Sequence, residues 1–325
     1  MKKEGAVFGV DIGGTNTAVG LIDSKNNFLS ENSFETKSAD GVNNYIERLA
    51  DYLKEIFQKY SETHILRGIG LAAPNVNYRT GWIENSVNLK WQRVNLVNLL
   101  KDYFNIMITI INDANAAALG ELAGGSARGM KNFIVLTLGT GLGSGIVVDG
   151  NIINGENGLA GELGHIIVKP GGRKCNCGRH GCLETYISAN GVRRTVFDLI
   201  SYYNEETKLR DIGFNELTSI YIAELARKND PVAEKVFEYT GEILGRALSD
   251  VAACFDPEAI ILAGGLSEAG DLLLKPAKFY FEKYLLSIYK GKVKILKSSL
   301  QNSRAAVLGA GHFVLNKIEN PGQVS

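Results

Sequence analysis

The sequence predicts an α/β protein made of two related halves, and two observations support this prediction. Apolar strand candidates alternate with amphipathic helix candidates along the chain, as in layered α/β domains. A strand, a glycine-rich turn and a second strand also occur twice, around Gly13 and around Gly139, at an offset of 126 positions (139 − 13). Asp23 and Asp149 repeat this offset (149 − 23). We interpret the repeat as a duplicated unit. Chance resemblance between two glycine-rich hairpins is the alternative.

The bulk composition is that of a globular protein with a neutral surface. A length of 325 residues favours two domains or lobes. Lys+Arg and Asp+Glu are both 35, so the composition predicts neither a nucleic-acid partner nor an anionic membrane partner. The sequence shows no signal-peptide pattern and no apolar run near the ~20 residues of a membrane span. We therefore expect a cytoplasmic protein.

The first glycine-rich turn follows the strand candidate Ala6–Val10 and reads Asp11-Ile12-Gly13-Gly14-Thr15. Because a strand follows the glycines, the turn differs from a Rossmann turn or a P-loop, in which a helix follows. The N–H groups of Gly13 and Gly14, with the Thr15 hydroxyl, could hold phosphate oxygens. The Asp11 carboxylate could hold Mg²⁺. A tight β-hairpin without a ligand is the alternative.

A polar pair ends the next buried strand of the first half. Helical spacing predicts a helix over Asp40–Tyr60 and another near Leu96–Tyr103, with a strand at Ile65–Ala73 between them. The apolar run from Ile106 then stops at Asn112-Asp113, and an alanine-rich helix follows. Asn112 or Asp113 could merely cap that helix. Alternatively, Asp113 is a positioned general base.

The second half repeats the hairpin pattern and ends in further strands and helices. Phe133–Leu138 is a strand candidate that runs into Gly139-Thr140-Gly141 and then into another strand. Pro231–Phe255 predicts a long helix, on which we interpret Cys254 as a core residue. The pattern also predicts the strands Glu258–Leu262 and Val293–Leu296 and the helix Ser303–Asn316. The pair Gly264-Gly265 after the first of these strands permits either the approach of a nucleoside or a simple strand–helix turn.

The remaining cysteines form a cluster with metal-ligand spacing. Cys175, Cys177 and Cys182 lie within eight residues, and His165 lies ten residues before the first of them. This Cys₃His set suits tetrahedral zinc. His180 is a rival fourth ligand, but it lies inside the short loop between two of the cysteines. Three reduced cysteines in a surface loop are the alternative.

Zinc at this site would be structural, because four protein ligands leave no open position for a reacting water. Its expected effect is to hold Glu162, His165 and Glu184 in place. Carboxylates and an imidazole are suitable partners for sugar hydroxyls, whereas the alternative is that Glu162 and Glu184 are ordinary exposed loop charges.

Together, four motifs resemble the ROK family of sugar kinases and repressors, and among its members the bacterial glucokinases. These motifs are Asp11-Ile12-Gly13-Gly14-Thr15, Asn112-Asp113-Ala114-Asn115-Ala116-Ala117, Leu138-Gly139-Thr140-Gly141-Leu142-Gly143, and Glu162-Leu163-Gly164-His165 with the cysteine segment from Cys175 to Glu184. The resemblance covers nearly the whole chain. It implies the actin/hexokinase-like ATPase fold, with two lobes around a central cleft. The expected small lobe is 1–120 with 304–325, and the larger lobe is 121–303 with a zinc-binding loop at 165–184.

The resemblance also implies a role for each matching residue in ATP-dependent phosphorylation of a hexose. Asp113 would take the proton from the sugar 6-hydroxyl as the catalytic base. The other implied roles are sugar binding by Asn112, Asp113, Glu162, His165 and Glu184; ATP binding by Gly13, Gly14, Thr15, Thr140 and Gly141, with Gly264 and Gly265 near the nucleoside; Mg²⁺ binding by Asp11; and structural Zn²⁺ binding by His165, Cys175, Cys177 and Cys182.

Substrate choice stays open between glucose and the N-acetylated hexosamines N-acetylglucosamine and N-acetylmannosamine. Pro74-Asn75 stands where the family often has Pro-Gly, in a loop near the sugar. Two non-enzyme alternatives are a sugar-responsive regulator and a zinc-organised structural protein with an inactive nucleotide site. The family's regulators carry a helix-turn-helix before the first hairpin, where this sequence has ten residues before Asp11. The resemblance implies a homodimer or homotetramer with no nucleic-acid or membrane partner.

Overall fold

The computed structural model describes residues 3–77, 79–84, 86, 89–300 and 303–320, which form two compact units. The first unit comprises Met1–Gly129, Ile152–Ala160 and Ser299–Ser325, and the second comprises Met130–Asn151 and Gly161–Ser298. The predicted division into lobes at 120/121 and 303/304 stays a prediction. Residues 1, 2 and 321–325, at the ends of the predicted small lobe, lie outside the described residues.

Strands and helices alternate along the chain as the sequence predicts. The strands are β1 (Glu4–Ile12), β2 (Asn16–Asp23), β3 (Phe28–Glu35), β4 (His64–Ala73), β5 (Val76–Asn77), β6 (Trp82–Ile83), β7 (Met107–Asn112), β8 (Phe133–Leu138), β9 (Leu142–Val148), β10 (Asn151–Ile152), β11 (Ala259–Ala263) and β12 (Lys294–Lys297). The α-helices are α1 (Val42–Gln58), α2 (Leu96–Lys101), α3 (Asp113–Gly124), α4 (Glu184–Ile187), α5 (Ala189–Tyr202), α6 (Ser219–Arg227), α7 (Pro231–Phe255), α8 (Asp271–Tyr284) and α9 (Arg304–Glu319).

Two five-stranded sheets share one strand order, which confirms the predicted duplication. The first sheet runs β3-β2-β1-β4-β7 and the second runs β10-β9-β8-β11-β12. In each sheet the glycine-rich hairpin is antiparallel (β1–β2 and β8–β9), and parallel strands extend the sheet from its first strand. Parallel strands need crossover helices that cover the sheet, so the buried strands are nearly continuous apolar runs.

Helices cover both faces of the first sheet. Phe8 and Val10 of β1 belong to the core beneath α1 and α2, whereas Val7 of the same strand packs against residues of α9. This two-sided burial explains why β1 is apolar at successive positions rather than at alternate ones. The helix α3 packs against α9 on the second of these faces.

Glycines let α9 approach α3 and the sheet at backbone contact distance. A Cβ atom on Gly309 of α9 would lie 1.7 Å from the carbonyl oxygen of Ala116. A Cβ on Gly120 of α3 would lie 1.9 Å from the carbonyl oxygen of Ala305. Gly9 of β1 is similarly placed, 1.9 Å from the carbonyl oxygen of Val307. The helices therefore pack at a separation that no larger side chain permits.

One core assignment from the sequence is wrong. Cys254 is exposed on α7, although the long helix itself has the predicted ends. The buried residues of α7 end at Ala252, so the apolar stripe of the helix does not extend to Cys254 in its last turn. Among the described residues, no helix combines the length and the apolar character needed to cross a membrane.

We expect the Gly309→Ala variant to lose roughly 3 kcal/mol or more of its free energy of unfolding, because the new methyl group would overlap a backbone carbonyl. Gly124→Ala is the matched control in the partner helix α3, where the new Cβ would meet only the end of the Leu308 side chain at 3.0 Å. The control should change stability by no more than about 1 kcal/mol. Urea unfolding of both variants measures the difference, and equal losses would contradict close packing at Gly309.

Candidate active site

The junction of β7 and α3 separates the capping function from the neighbouring carboxylate. Asn112 is the N-cap of α3, and its Oδ1 accepts the backbone N–H groups of Ala114 (2.9 Å) and Asn115 (3.2 Å). Asp113 Oδ1 also accepts the N–H of Ala114 at 2.8 Å. Because Asn112 already caps the helix, the fold does not require a carboxylate at position 113. Capping therefore accounts for Asn112 and leaves the role of Asp113 to be explained.

Both aspartates of the candidate site lie in the first unit, and the charge of Asp113 acts on Asp11. Burial, and after it the charge of Asp113, raises the pKa of Asp11 to about 7. Burial also raises the pKa of Asp113, although the hydrogen bond from the Ala114 N–H opposes this change. A carboxyl with a raised pKa is a better proton acceptor than an ordinary aspartate once it is ionised. A divalent cation near Asp11 would favour the ionised form of both groups.

The first hairpin turn is closed by hydrogen bonds that the sequence did not reveal. The Gly13 N–H donates to the Asn16 carbonyl (3.0 Å), so this group closes the turn and is not free to hold a phosphate as expected. Thr36, at the end of β3, supports the turn from outside. Its hydroxyl donates to the Gly13 carbonyl at 2.7 Å, and its N–H donates to the Thr15 carbonyl at 2.8 Å. A single threonine after an edge strand gives no sequence signal for this role.

The second hairpin turn rests on the segment that follows the cysteines. The Gly139 N–H donates to the Gly141 carbonyl at 3.0 Å and closes the turn. The Gly139 carbonyl accepts the Ala189 N–H at 2.9 Å, and the Thr140 carbonyl accepts the Asn190 side-chain amide at 3.2 Å. The start of α5 therefore holds the turn through its carbonyls, and Asn190 is a supporting residue that the sequence analysis missed.

Glu184 joins this turn to the cysteine cluster. Its Oε2 accepts the Leu142 N–H at 3.0 Å, and its Oε1 lies 3.7 Å from the Cys175 Sγ. A Cβ on Gly141 would lie 2.5 Å from Glu184 Oε2, so a larger residue there would displace the Glu184 carboxylate from its contact with Leu142. A carboxylate has about four acceptor sites. Glu184 therefore keeps acceptor capacity for a ligand beyond these two contacts.

The first glycine of the pair after β11, Gly264, is required by the local fold. Gly264 has a φ of 86°, and a Cβ there would lie 2.7 Å from the Leu138 carbonyl oxygen. It therefore lets β11 turn close to the end of β8. An added Cβ at Gly265 would meet nothing within 4 Å.

In the loop at Pro74-Asn75, Asn75 has a φ of 56°, a left-handed conformation that asparagine tolerates.

Four side chains of the second unit bring their ligand atoms together. The His165, Cys175, Cys177 and Cys182 donor atoms all lie within 4.8 Å of one another. The Cys177 and Cys182 sulfurs are 3.6 Å apart, and Cys175 Sγ is 3.7 Å from His165 Nδ1. A tetrahedral zinc ion with bonds of ~2.3 Å to sulfur separates its ligand atoms by about 3.8 Å. The donor set therefore fits the size of a zinc site, and His180 is not part of it.

The thiols differ in their readiness to ionise. The Arg179 N–H is the main cause that lowers the pKa of Cys177 to about 7, whereas burial raises the pKa of Cys175 to about 12. Burial also raises the pKa of Cys182. Three thiols in one small volume cannot all carry a negative charge without a cation to neutralise them.

The remaining predicted sugar ligands lie next to the cluster. His165 Nδ1 faces the cysteines, whereas its Nε2 is 4.0 Å from Glu162 Oε2. Glu162 is exposed and precedes the short 3-10 turn Leu163–His165. The geometry thus gives the histidine two different faces, one toward the thiols and one toward a carboxylate.

Arg173 holds the cysteine loop onto the following helices, and the sequence analysis missed it. Its guanidinium donates to the Thr185 carbonyl (2.8 Å) and the Gly191 carbonyl (3.0 Å), and it stacks 4.5 Å over the Tyr186 ring. It also pairs with Asp198 at 2.6 Å while only 10% of its side chain is exposed. An arginine before a cysteine motif has no distinctive spacing that would predict this role.

Comparison with known proteins places these features in one family context. The profile of the ROK family matches residues 7–317. The glucokinase of Halalkalibacterium halodurans is 37% identical over 310 residues, which cover 94% of each chain. The xylose repressor of Caldicellulosiruptor bescii is 28% identical and aligns over 97% of this chain and 79% of the repressor. Each is a protein that this chain resembles.

A solved structure extends the similarity to the fold. The ROK family glucokinase from Streptomyces griseus, in complex with glucose and AMPPNP, is 31% identical with a TM-score of 0.78, covering 95% of this chain and 98% of that one. This similarity confirms the actin/hexokinase-like ATPase fold.

We expect Asp11→Asn to become more stable relative to the unchanged protein as pH rises from 4 to 8, by roughly 4 kcal/mol. The folded pKa of Asp11 is about 7, above the ordinary value of 3.8, so ionisation within this window costs stability. Asparagine removes that cost. Urea unfolding in the presence of a chelator and without nucleotide measures the difference at each pH.

Asp23→Asn is the control with the opposite sign. Burial alone would raise the pKa of Asp23. Hydrogen bonds from Asn27 and Lys25 outweigh this effect and hold the pKa below its ordinary value. Asp23 therefore stabilises the protein at neutral pH and loses this effect as pH falls through its folded pKa. Its variant should be less stable at pH 7, and this difference should shrink as pH falls below 3.8. A pH-independent effect of Asp11→Asn would contradict the assigned ionisation.

Proposed function

The chain belongs to the ROK family, and from this premise we propose that it is an ATP-dependent glucokinase, which transfers the terminal phosphoryl group of ATP to the 6-hydroxyl of glucose. The observation that carries the proposal is the Asp113 carboxyl at the start of α3, next to a residue that already caps the helix. The 37% identity to a glucokinase over 94% of each chain supports the same substrate and reaction.

Asp113 is the proposed catalytic base. Its raised pKa means that, once ionised, the Asp113 carboxylate takes up a proton more readily than an ordinary aspartate does. It would accept the proton of the sugar 6-hydroxyl as that oxygen attacks phosphorus, while the bond from phosphorus to the bridging oxygen of ADP breaks. The hydrogen bond from Ala114 to Oδ1 fixes the orientation of the carboxyl group.

The proposed sugar ligands divide into an amide and a set near the cysteines. Asn112 uses Oδ1 to cap α3, which leaves its amide nitrogen as a donor to a sugar hydroxyl. Glu162 and Glu184 would accept hydrogen bonds from sugar hydroxyls. His165 would bind metal through Nδ1 and a sugar hydroxyl through Nε2, as the two faces of its ring allow.

The two hairpin turns are the proposed phosphate ligands. Gly14 and Thr15 act from the first turn, which the Gly13 N–H closes through its hydrogen bond to the Asn16 carbonyl. Thr140 and Gly141 act from the second turn. Gly264 and Gly265 remain the proposed neighbours of the nucleoside.

Asp11 is the residue proposed to hold Mg²⁺ with ATP, because its carboxyl has a raised pKa that a cation would lower. When bound, the ion neutralises charge on the phosphate oxygens.

We further propose that the four-residue cluster binds structural zinc. The ligand-atom spacing fits a tetrahedral ion, and zinc would neutralise the crowded thiolates. Because four protein ligands would leave no open position, the ion would serve to hold the loop. Glu184 at the end of this loop accepts the Leu142 N–H and so connects the loop to the second hairpin turn.

ATP as phosphoryl donor agrees with the cytoplasmic location expected from the sequence, and a homodimer or homotetramer is expected from the resemblance.

The regulator alternative receives less support, because the match to the xylose repressor is 28% against 37% for the glucokinase and because positive and negative charges are equal at 35 each. A gel-shift measurement at low salt separates the two classes.

We expect Asp113→Asn to lower kcat by roughly 10²- to 10⁴-fold while glucose affinity changes little, because the amide cannot accept the hydroxyl proton. A coupled ADP-release assay measures kcat, and calorimetry measures glucose binding. Asp102→Asn is the matched control, since Asp102 is exposed after α2 and has no proposed role.

The same assay on a panel of glucose, N-acetylglucosamine and N-acetylmannosamine tests the substrate. Preference for an N-acetylated sugar would change the substrate but keep the kinase. No turnover of any hexose or hexosamine would reject the kinase, and normal turnover by Asp113→Asn would reject the base.

We expect Cys182→Ser, or removal of metal by a chelator, to lower both the melting temperature and the affinity for glucose, because the loop loses the ion that orders it. Metal analysis of the purified protein should find about one zinc per chain. Cys254→Ser is the matched control, because this exposed cysteine lies outside the cluster. Unchanged sugar affinity in metal-free protein would contradict the assigned role of the loop.

A further inference from the structure

Three hydroxyl side chains form a continuous row of hydrogen bonds in the interior of the first unit. The Tyr45 hydroxyl of α1 lies 3.1 Å from Thr17 Oγ1 of β2, and Thr17 Oγ1 lies 3.0 Å from Oγ1 of Thr36, the residue after β3. The Thr36 hydroxyl donates to the Gly13 carbonyl at 2.7 Å. All three of these residues are fully buried. The row therefore connects a helix that covers the sheet to the first hairpin turn, and it is shielded from water.

The direction of this row follows from the number of hydrogens available. Each hydroxyl has one hydrogen and can donate once. Because the Thr36 hydrogen goes to the Gly13 carbonyl, Thr36 accepts from Thr17, and Thr17 in turn accepts from Tyr45. Burial raises the pKa of Tyr45, so its hydroxyl stays protonated and serves as the first donor. Hydrogen bonds in such a row polarise one another, which strengthens the last bond to the turn.

Thr36 is also held through its backbone. The Arg48 guanidinium of α1 donates to the carbonyls of Glu35 (3.0 Å) and Thr36 (2.6 Å). The Thr36 N–H donates to the Thr15 carbonyl at 2.8 Å. Thr36 therefore binds two carbonyls of the first turn, those of Gly13 and Thr15, from a position that α1 and β2 fix.

The bond to the Gly13 carbonyl also sets the direction of the next N–H group. The Gly13 C=O and the Gly14 N–H belong to one planar trans peptide unit, so these two groups point in opposite directions. Because the carbonyl points toward the buried Thr36 hydroxyl, the Gly14 N–H points away from it. Within the part of the chain that the structure describes, this N–H has no hydrogen-bond partner. Buried hydroxyls thus determine the orientation of a donor that is available to a ligand.

We propose that Tyr45, Thr17 and Thr36 are positioning residues for nucleotide binding, which hold the Gly14 N–H in one direction for a phosphate oxygen of ATP. The proposal rests on the phosphate-binding role proposed for the first turn and assigns the orientation of one ligand group to side chains that do not touch the nucleotide. Two adjacent glycines permit many backbone orientations, so the turn needs a constraint from outside. A turn that is ordered before ATP arrives binds it more tightly, because less conformational freedom is lost on binding.

Two substitutions at Thr17 distinguish positioning from packing. Thr17→Val keeps the shape of the side chain and removes its hydroxyl, whereas Thr17→Ser keeps the hydroxyl and removes a methyl group. We expect Thr17→Val to weaken binding of the ATP analogue AMPPNP about five- to tenfold, and Thr17→Ser to retain the affinity within about twofold. Glucose affinity should not change in either variant. Packing alone predicts the reverse order, because serine leaves a cavity and valine does not. Calorimetry with Mg²⁺ present measures both affinities.

Tyr45→Phe removes the first donor, keeps the ring, and covers the case in which Thr17→Val does not fold. It should weaken AMPPNP binding about threefold or more, again without an effect on glucose. Tyr60→Phe is the matched control. It also deletes one tyrosine hydroxyl bond, of 2.8 Å to the Leu29 carbonyl, but at the opposite end of β3 from Thr36. This control should leave AMPPNP affinity unchanged even where it lowers the melting temperature.

Hydrogen exchange without nucleotide measures the order of the turn independently of the kinase function. Thr17→Val and Tyr45→Phe should speed deuterium uptake about threefold or more in the segment 11–17, because the bond that holds the turn is weakened. Tyr60→Phe should not change the uptake of this segment.

Three outcomes would overturn the proposal. The first is unchanged AMPPNP affinity and unchanged exchange in both Thr17→Val and Tyr45→Phe while the unchanged protein binds AMPPNP, which would reject the positioning role alone. The second is weaker binding by Thr17→Ser than by Thr17→Val, which would assign Thr17 to packing. The third is no AMPPNP binding by the unchanged protein, which would reject the nucleotide-binding role of the turn and this proposal with it.

Discussion

The hydrogen bonds from the first turn of α3 to Asn112 are the constraint on which the candidate site depends. They place the helix start immediately after β7, so the following residue is held at the end of a buried strand. A helix start needs one cap, and Asn112 supplies it. The carboxyl of Asp113 is thus positioned by the backbone without being consumed by it. Its raised pKa follows from burial, which the same junction imposes.

The second unit shows a comparable division between support and chemistry. Arg173 ties the cysteine loop to α4 and α5, and the start of α5 in turn holds the carbonyls of Gly139 and Thr140. Glu184 completes the chain of contacts through the Leu142 N–H. A change in the cysteine cluster therefore has a direct mechanical route to the second hairpin turn. Through this route the proposed structural metal would influence ligand binding without taking part in the reaction.

The two sheets have the same topology but different neighbouring elements. Both sheets have the same strand order, so the repeated topology alone does not distinguish them. The differences come from what borders each sheet. At β7 the border consists of α2, α9 and the turn between β5 and β6, which supply Lys101, Lys317 and Arg79, and Arg79 pairs with Glu156 at 3.5 Å. The charge of this edge is invisible in the net charge of the chain, which is zero.

Sequence by itself determined the features that depend on local spacing. The offset of 126 residues revealed the repeated hairpins, the alternation of apolar runs revealed the α/β class, and the spacing of the cysteines revealed a set that the structure brings together. Tertiary structure alone decided the exposure of Cys254, the closure of the first turn by the Gly13 N–H, and the need for glycine at Gly309. The reason is physical: periodicity is written along the chain, whereas the neighbour that a side chain or an amide meets comes from a distant segment and depends on how closely the elements pack.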